Sequence, residues 1–326
     1  GLNFARYRFP IGLQAPLLPC KSGMDRLYLS SDDEHTTGYV VNVSRFQDSR
    51  TRKISMIDIG KLFSVDGKSA LVTGGATGIG RMAATALAAA GANVMIASRK
   101  GSDCEEVARE ITKSGVTGSV IGFAGDVGTK EGIAHLVQEV KSRTSELHIL
   151  VNNAGTTWGE PLETFPYEAW ARVLNVNVTG LFNVTRDLLP LLDAAATDED
   201  PARIINLGSV MGTQPMSDGA YSYTASKAAV HHLTRTLASE FAARRITVNA
   251  FAPGPFQSRM TAFATTSNEQ AAKVGARVPL GRIGSPEDIA GATLFLCGRA
   301  GAYVTGAILP VDGGQSVQHG MTLFKD

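Results

Sequence analysis

Beyond residue 68 the chain alternates between short apolar runs and longer stretches in which apolar residues recur every three or four positions. The short runs fall at residues 70–73, 93–97, 119–123, 149–151, 203–207, 247–251 and 307–310. Several are continuously apolar, as strands buried on both faces of a parallel sheet must be. The intervening stretches, such as 81–90 and 129–143, carry the helical period. This alternation predicts right-handed βαβ units and an α/β fold, a doubly wound parallel seven-stranded sheet with helices on both faces.

Residues 1–55 follow neither period. They hold Pro10, Pro16 and Pro19 and a polar run from Ser30 to Glu34, and are expected to be irregular. The stretch before Asp25 carries Arg6 and Arg8 and no acid, a faint likeness to an organelle-targeting peptide, although the prolines spoil an amphipathic helix there. The simpler expectation is that Met56 is the natural start, that 1–55 is a non-native extension, and that 56–326 forms one domain.

Composition narrows the function classes. Hydrophobic residues make up 44% of the chain, enough for a substantial core. A net charge of +1 offers no electrostatic case for nucleic acid or an anionic membrane, and no run approaches the ~20 apolar residues of a membrane span. Cys20, Cys104 and Cys297 are scattered without metal spacing, which suits a reducing, cytoplasmic setting and no metal. Of six histidines only His231 and His232 adjoin, and neighbours on a helix point to different faces, a poor metal site. No catalytic histidine is expected.

The first strand runs into Thr73-Gly74-Gly75-Ala76-Thr77-Gly78-Ile79-Gly80. Glycines let the backbone turn sharply and approach a pyrophosphate, and the following helix offers free N–H groups and its positive end. Gly78, Gly80 and Ala83 satisfy the looser dinucleotide-binding spacing of a Rossmann fold, with strand before and helix after. The second strand then ends in Ser98-Arg99-Lys100, where an acid would otherwise receive a ribose 2′-hydroxyl. An arginine there clamps a 2′-phosphate that a carboxylate would repel, so NADP(H) is the expected cofactor. Asp126, followed by Val127, closes the third strand within reach of an adenine ring; a helix cap is its other reading.

Tyr223 and Lys227 stand four apart in a helical stretch and share one face. An ammonium about 4 Å away contributes about 4 kcal/mol at an effective dielectric of about 20. That is enough to lower a phenol pKa by roughly two or three, making Tyr223 a candidate acid–base for hydride transfer. One such pair arises by chance in many chains, and Tyr221 lacks a lysine partner. Ser209 ends an apolar strand at the carboxyl edge of the sheet, placed to bond a substrate carbonyl. Asn177 lies in a helical pattern where asparagine is mildly unfavourable. Trp158 borders either a substrate pocket or a packed loop, and 255–278, with Phe256, Met260 and Phe263, forms either a lid over an acyl chain or ordinary packing.

Taken in order, these motifs resemble the short-chain dehydrogenase/reductase family over about 56–314. Thr73 to Gly80 looks like its glycine motif, Asn152-Asn153-Ala154-Gly155 its sheet-stabilising segment, and Pro253-Gly254 the loop after its sixth strand. Asn177, Ser209, Tyr223 and Lys227 match its catalytic tetrad. The resemblance implies that Tyr223 is the acid–base, that Ser209 polarises the carbonyl, that Lys227 holds the nicotinamide ribose and tunes Tyr223, and that Asn177 holds a relay water. It also implies a homotetramer, and cofactor contacts from Gly74, Thr77, Gly78, Ile79, Gly80, Ser98, Arg99, Asp126, Val127, Asn153, Ala154, Gly155, Pro253, Gly254 and Ser258. Ser258 stands where the family often has threonine, and keeps the hydroxyl. Segments 97–100, 153–159 and 253–261 look most like its 3-oxoacyl reductases of the rhamnolipid type, which implies NADPH-dependent reduction of a 3-oxoacyl thioester. An NADP-dependent alcohol, steroid or sugar dehydrogenase on the same machinery is the alternative, and a non-catalytic dinucleotide-binding regulator a third.

Overall fold

The computed structural model describes residues 57–215, 219–258, 261–265 and 267–318. The expectations for 1–55, for Met260 and for the Phe263 side chain lie outside the described residues.

Each predicted run forms a strand within two residues of its expected ends. In chain order the elements are α1 (Ile59–Phe63), β1 (Ser69–Thr73), α2 (Gly78–Ala89), β2 (Asn93–Ser98), α3 (Gly101–Lys113), β3 (Ser119–Ala124), α4 (Lys130–Lys141) and β4 (Ile149–Asn152). They continue through α5 (Tyr167–Leu174), a π-helical turn (Asn175–Gly180), α6 (Leu181–Ala195), β5 (Ala202–Leu207), α7 (Tyr221–Phe241) and β6 (Ile246–Pro253). Last come α8 (Ala262–Thr265), α9 (Asn268–Gly275), α10 (Pro286–Cys297) and β7 (Ile308–Val311). Helix α2 begins three residues before the expected start, because the last glycines of the turn are themselves its first residues.

The sheet order is β3-β2-β1-β4-β5-β6-β7, with every neighbouring pair parallel. Successive strand residues face opposite sides. Ala70 and Val72 pack in one core with Leu87 of α2, Val107 and Ile111 of α3 and Leu296 of α10. Leu71 joins the other core with Leu136 and Val140 of α4, Leu188 and Leu192 of α6 and Leu237 of α7. Burial on both sides explains why these strands read as unbroken apolar runs.

Charge closes the amino-terminal end of the sheet. Asp200, just before β5, holds Lys68 Nζ at 2.7 Å and Arg203 Nη2 at 2.9 Å. Arg203 is fully buried and also donates to the Gly298 carbonyl at 3.1 Å. At the carboxyl end, the chain leaves β1 toward β2 on one side while β4 lies on the other. That reversal opens the crevice in which such sheets bind ligands.

Candidate active site

The crevice holds a cavity of about 370 Å³ lined by the β1–α2 turn, Arg99, the segment after β4, the end of β5, α7 and the segment after β6. Its size falls in the range of small-molecule sites. One wall is the turn. Gly78 has a φ of +52° that side-chain-bearing residues rarely adopt, and a Cβ there would stand 2.9 Å from Ser258 Cβ. At Gly80 a Cβ would stand 2.3 Å from Asn153 Nδ2. That approach lets Asn153 Nδ2 donate to the Thr73 and Gly74 carbonyls at 2.9 and 3.0 Å, fastening the turn to β4. Next to it, Asn152 Nδ2 donates to Thr185 Oγ1 and Asn206 Oδ1, both at 3.0 Å, tying β4 to α6 and β5.

Thr77 provides no side-chain cap for α2, and the first turn of that helix carries no acid. The helix end therefore presents uncapped amides and a positive dipole to the cavity. Arg99 is exposed on the cavity rim and forms no ion pair among the described residues. Amides, dipole and an available guanidinium fit a phosphorylated dinucleotide with a 2′-phosphate.

Across the cavity stand Ser209, Tyr223 and Lys227. Ser209 is extended and begins a short turn; its Oγ accepts from Met211 N at 3.2 Å, which leaves the hydroxyl proton to donate elsewhere. Lys227 is buried, and its Nζ donates to the Leu207 carbonyl at 2.5 Å while lying 5.5 Å from the centre of the Tyr223 ring. Burial lowers the Lys227 pKa to about 8. The same desolvation raises the Tyr223 pKa, with the Ser209 side chain pulling it back. This corrects the expectation of a phenol lowered by its lysine: the ammonium is itself desolvated and sits over the ring, so burial wins over the charge.

Asn177 is 2% exposed, in the π-helical turn, and does not line the cavity. Its Oδ1 accepts from Thr156 N at 2.8 Å, and its Nδ2 donates to the Thr156 carbonyl and Ser226 Oγ, both at 2.9 Å. The carboxamide thus braces the segment after β4 against α7. Other expected contacts also stand back from the cavity. Ser98 Oγ donates to the Lys100 carbonyl and accepts from Cys104 Sγ, both at 3.1 Å. Asp126 Oδ1 accepts from Gly128 N at 2.9 Å, while Thr129 caps α4, so the cap reading of Asp126 falls. Val127 is buried, and neither it nor Gly80 lines the cavity. Gly74, Thr77, Gly78, Ile79, Arg99, Asn153, Ala154, Gly155, Pro253, Gly254 and Ser258 all do. Trp158 packs under the Arg172 guanidinium, 5.2 Å from its ring centre, away from the cavity lining.

Residues 74–316 match the family model described as enoyl-(acyl carrier protein) reductase, three quarters of the chain. The chain belongs to the short-chain dehydrogenase/reductase family. Among family members, it is 44% identical over 252 residues to the rhamnolipids biosynthesis 3-oxoacyl-[acyl-carrier-protein] reductase of Pseudomonas aeruginosa, covering 77% of this chain and 97% of that one. It is 39% identical to the 2-dehydro-3-deoxy-D-gluconate 5-dehydrogenase of Bacillus subtilis, covering 77% and 96%. The Pseudomonas aeruginosa RhlG/NADP active-site complex superposes with a TM-score of 0.75 at 42% identity, over 78% of this chain and 99% of that one. The family's oxidoreductase chemistry is therefore the frame for this cavity.

Sequence reasoning missed three participants in the site. The Leu207 carbonyl anchors Lys227, Thr156 receives Asn177, and His231 meets the Ser209 backbone. Backbone partners leave no trace in residue type; only His231, four after Lys227 on the same helix face, carried a readable signal.

Proposed function

We propose that this chain is an NADPH-dependent carbonyl reductase that converts a 3-oxoacyl thioester to its 3-hydroxyacyl form. The observation that carries the reading is the single cavity in which Ser209, Tyr223 and Lys227 face the glycine turn and Arg99. Likeness to a 3-oxoacyl reductase over almost its whole length supports the substrate class. The turn amides and Arg99 would hold the phosphates. When bound, the reduced nicotinamide supplies hydride.

The Ser209 hydroxyl donates to the substrate carbonyl oxygen, stabilising the charge that grows there. Tyr223, which like any phenol holds its proton at neutral pH, gives it to that oxygen. Lys227, fixed by Leu207, lies beside the phenolate that remains and favours its formation at that moment. Asn177 holds the segment after β4 and α7 in register around these groups.

A sugar or alcohol dehydrogenase is the second reading, supported by the Bacillus subtilis relative. A panel of 3-oxoacyl thioesters, simple ketones and keto-sugars, followed by NADPH absorbance, separates the two. Turnover of keto-sugars alone defeats the thioester assignment. We further infer that residues 56–326 form the active unit, with a place in fatty acid metabolism in the cytoplasm. No described helix is long and apolar enough to cross a membrane. Exposed Tyr167 and Trp170 on α5 and Phe182 on α6 support assembly into a homotetramer.

A further inference from the structure

His231 follows Lys227 by one helical turn on α7 and is 4% exposed, yet the reaction described above gives it no task. Its Nε2 accepts from the Ser209 backbone N–H at 3.4 Å, and its Nδ1 lies 3.3 Å from Thr213 Oγ1. Only an unprotonated nitrogen accepts an N–H, so the ring is neutral and Nδ1 carries its proton, donating to Thr213. The surrounding segment is shaped to the imidazole. A Cβ at Gly208 would stand 2.2 Å from Nε2, and one at Gly212 2.7 Å from Cε1. Any side chain at either position would displace the ring.

Burial, then the charges of Arg235 and Lys227, lower the His231 pKa to about 4, so the neutral form persists across the ordinary pH range. Both cations lie on α7. Segment 208–213 turns only the Ser209 amide and the Thr213 hydroxyl to the ring, and β6 adds the Phe251 carbonyl beside Gly208.

We propose that His231 is the positioning residue for Ser209, its neutral ring spanning the Ser209 amide and the Thr213 hydroxyl and thereby setting where the serine hydroxyl stands. The inference rests on Ser209 acting on the substrate carbonyl. The ring touches neither cavity nor cofactor turn, so its loss acts on kcat through Ser209 and leaves NADPH binding alone.

The test compares His231→Leu, which removes the acceptor, with His231→Gln, whose carboxamide oxygen reaches the same amide, each alone and combined with Ser209→Ala. His231→Leu lowers kcat roughly tenfold to hundredfold with the KM for NADPH unchanged. His231→Gln recovers most of that loss, and His231→Leu adds nothing once Ser209 is alanine. Equal impairment by Leu and Gln, or losses that multiply in the double variant, overturns the proposal. If His231→Leu fails to fold, Thr213→Val carries the same cycle through the Nδ1 partner. Unchanged turnover in Ser209→Ala alone refutes the role of Ser209 and this proposal together. A full loss there beside normal turnover in His231→Leu refutes this proposal only.

Discussion

Replacing Lys227 by methionine removes turnover and, at neutral pH, stabilises the ligand-free protein. The ammonium is buried, and burial takes its pKa from 10.5 to about 8. At about 1.36 kcal/mol per pH unit, carrying that charge costs the folded state about 3 kcal/mol. Methionine fills similar space but forfeits the hydrogen bond from the charged amine to the Leu207 carbonyl, about 2 kcal/mol. The variant gains the difference, about 1 kcal/mol. The sign follows from a folded pKa depressed below the unfolded one. Below pH 8 both states hold the proton and the whole penalty stands. Between 8 and 10.5 the unfolded chain keeps a proton that the folded chain has lost, so the penalty fades as pH rises. By pH 10 it is about 1 kcal/mol, and the advantage of the variant vanishes. Urea unfolding of both proteins at pH 7 and pH 10, at one protein concentration, reads these differences. A variant less stable than wild type at pH 7, or a gap of equal size at both pH values, refutes the buried charge as the cost.

Tyr223→Phe removes the transferable proton and keeps the ring; turnover falls by at least about a thousandfold while NADPH binding, followed by fluorescence titration, is retained, and substantial residual turnover contradicts the acid role. Arg99→Asp weakens NADPH by roughly tenfold or more and NADH far less, read as separate KM values; equal effects count against a 2′-phosphate at Arg99. Asp200→Asn leaves buried Arg203 and Lys68 without their carboxylate and costs roughly 3 kcal/mol in urea unfolding with the cavity chemistry intact; an unchanged midpoint shows the pair to be dispensable. A chain beginning at Met56 keeps turnover, and its loss ties activity to the preceding segment.

The layout of the sheet was legible because parallel strands buried on both sides must be largely apolar, as Ser69–Thr73 and Asn93–Ser98 are between their polar ends. The glycine turn and the Tyr223–Lys227 spacing were legible for a different reason: they depend on residue type and helical period alone. What escaped depends on the surroundings. Whether a phenol beside a lysine moves down or up is decided by how deeply both are buried, and no spacing records that. Asn177 could be suspected from its poor fit to a helix, but its partners Thr156 and Ser226 are 21 and 49 residues away. Arg99 and Ser98 adjoin in sequence, yet only the arginine reaches the cavity, because Cys104 and Lys100 claim the serine hydroxyl.

The π-helical turn at Asn175–Gly180 bears on how this chain tolerates change. Such a turn is an ordinary helix with one residue too many. Deleting any one residue there would let α5 run smoothly into α6, a gain in local regularity. The wide turn absorbs the extra residue, so α5 and α6 would keep their registers, but the residues inside it would point elsewhere and Asn177 would lose Thr156 and Ser226. The segment should therefore resist shortening, and also change at Asn177 or at Gly180, where a Cβ would stand 2.3 Å from the Val127 carbonyl oxygen.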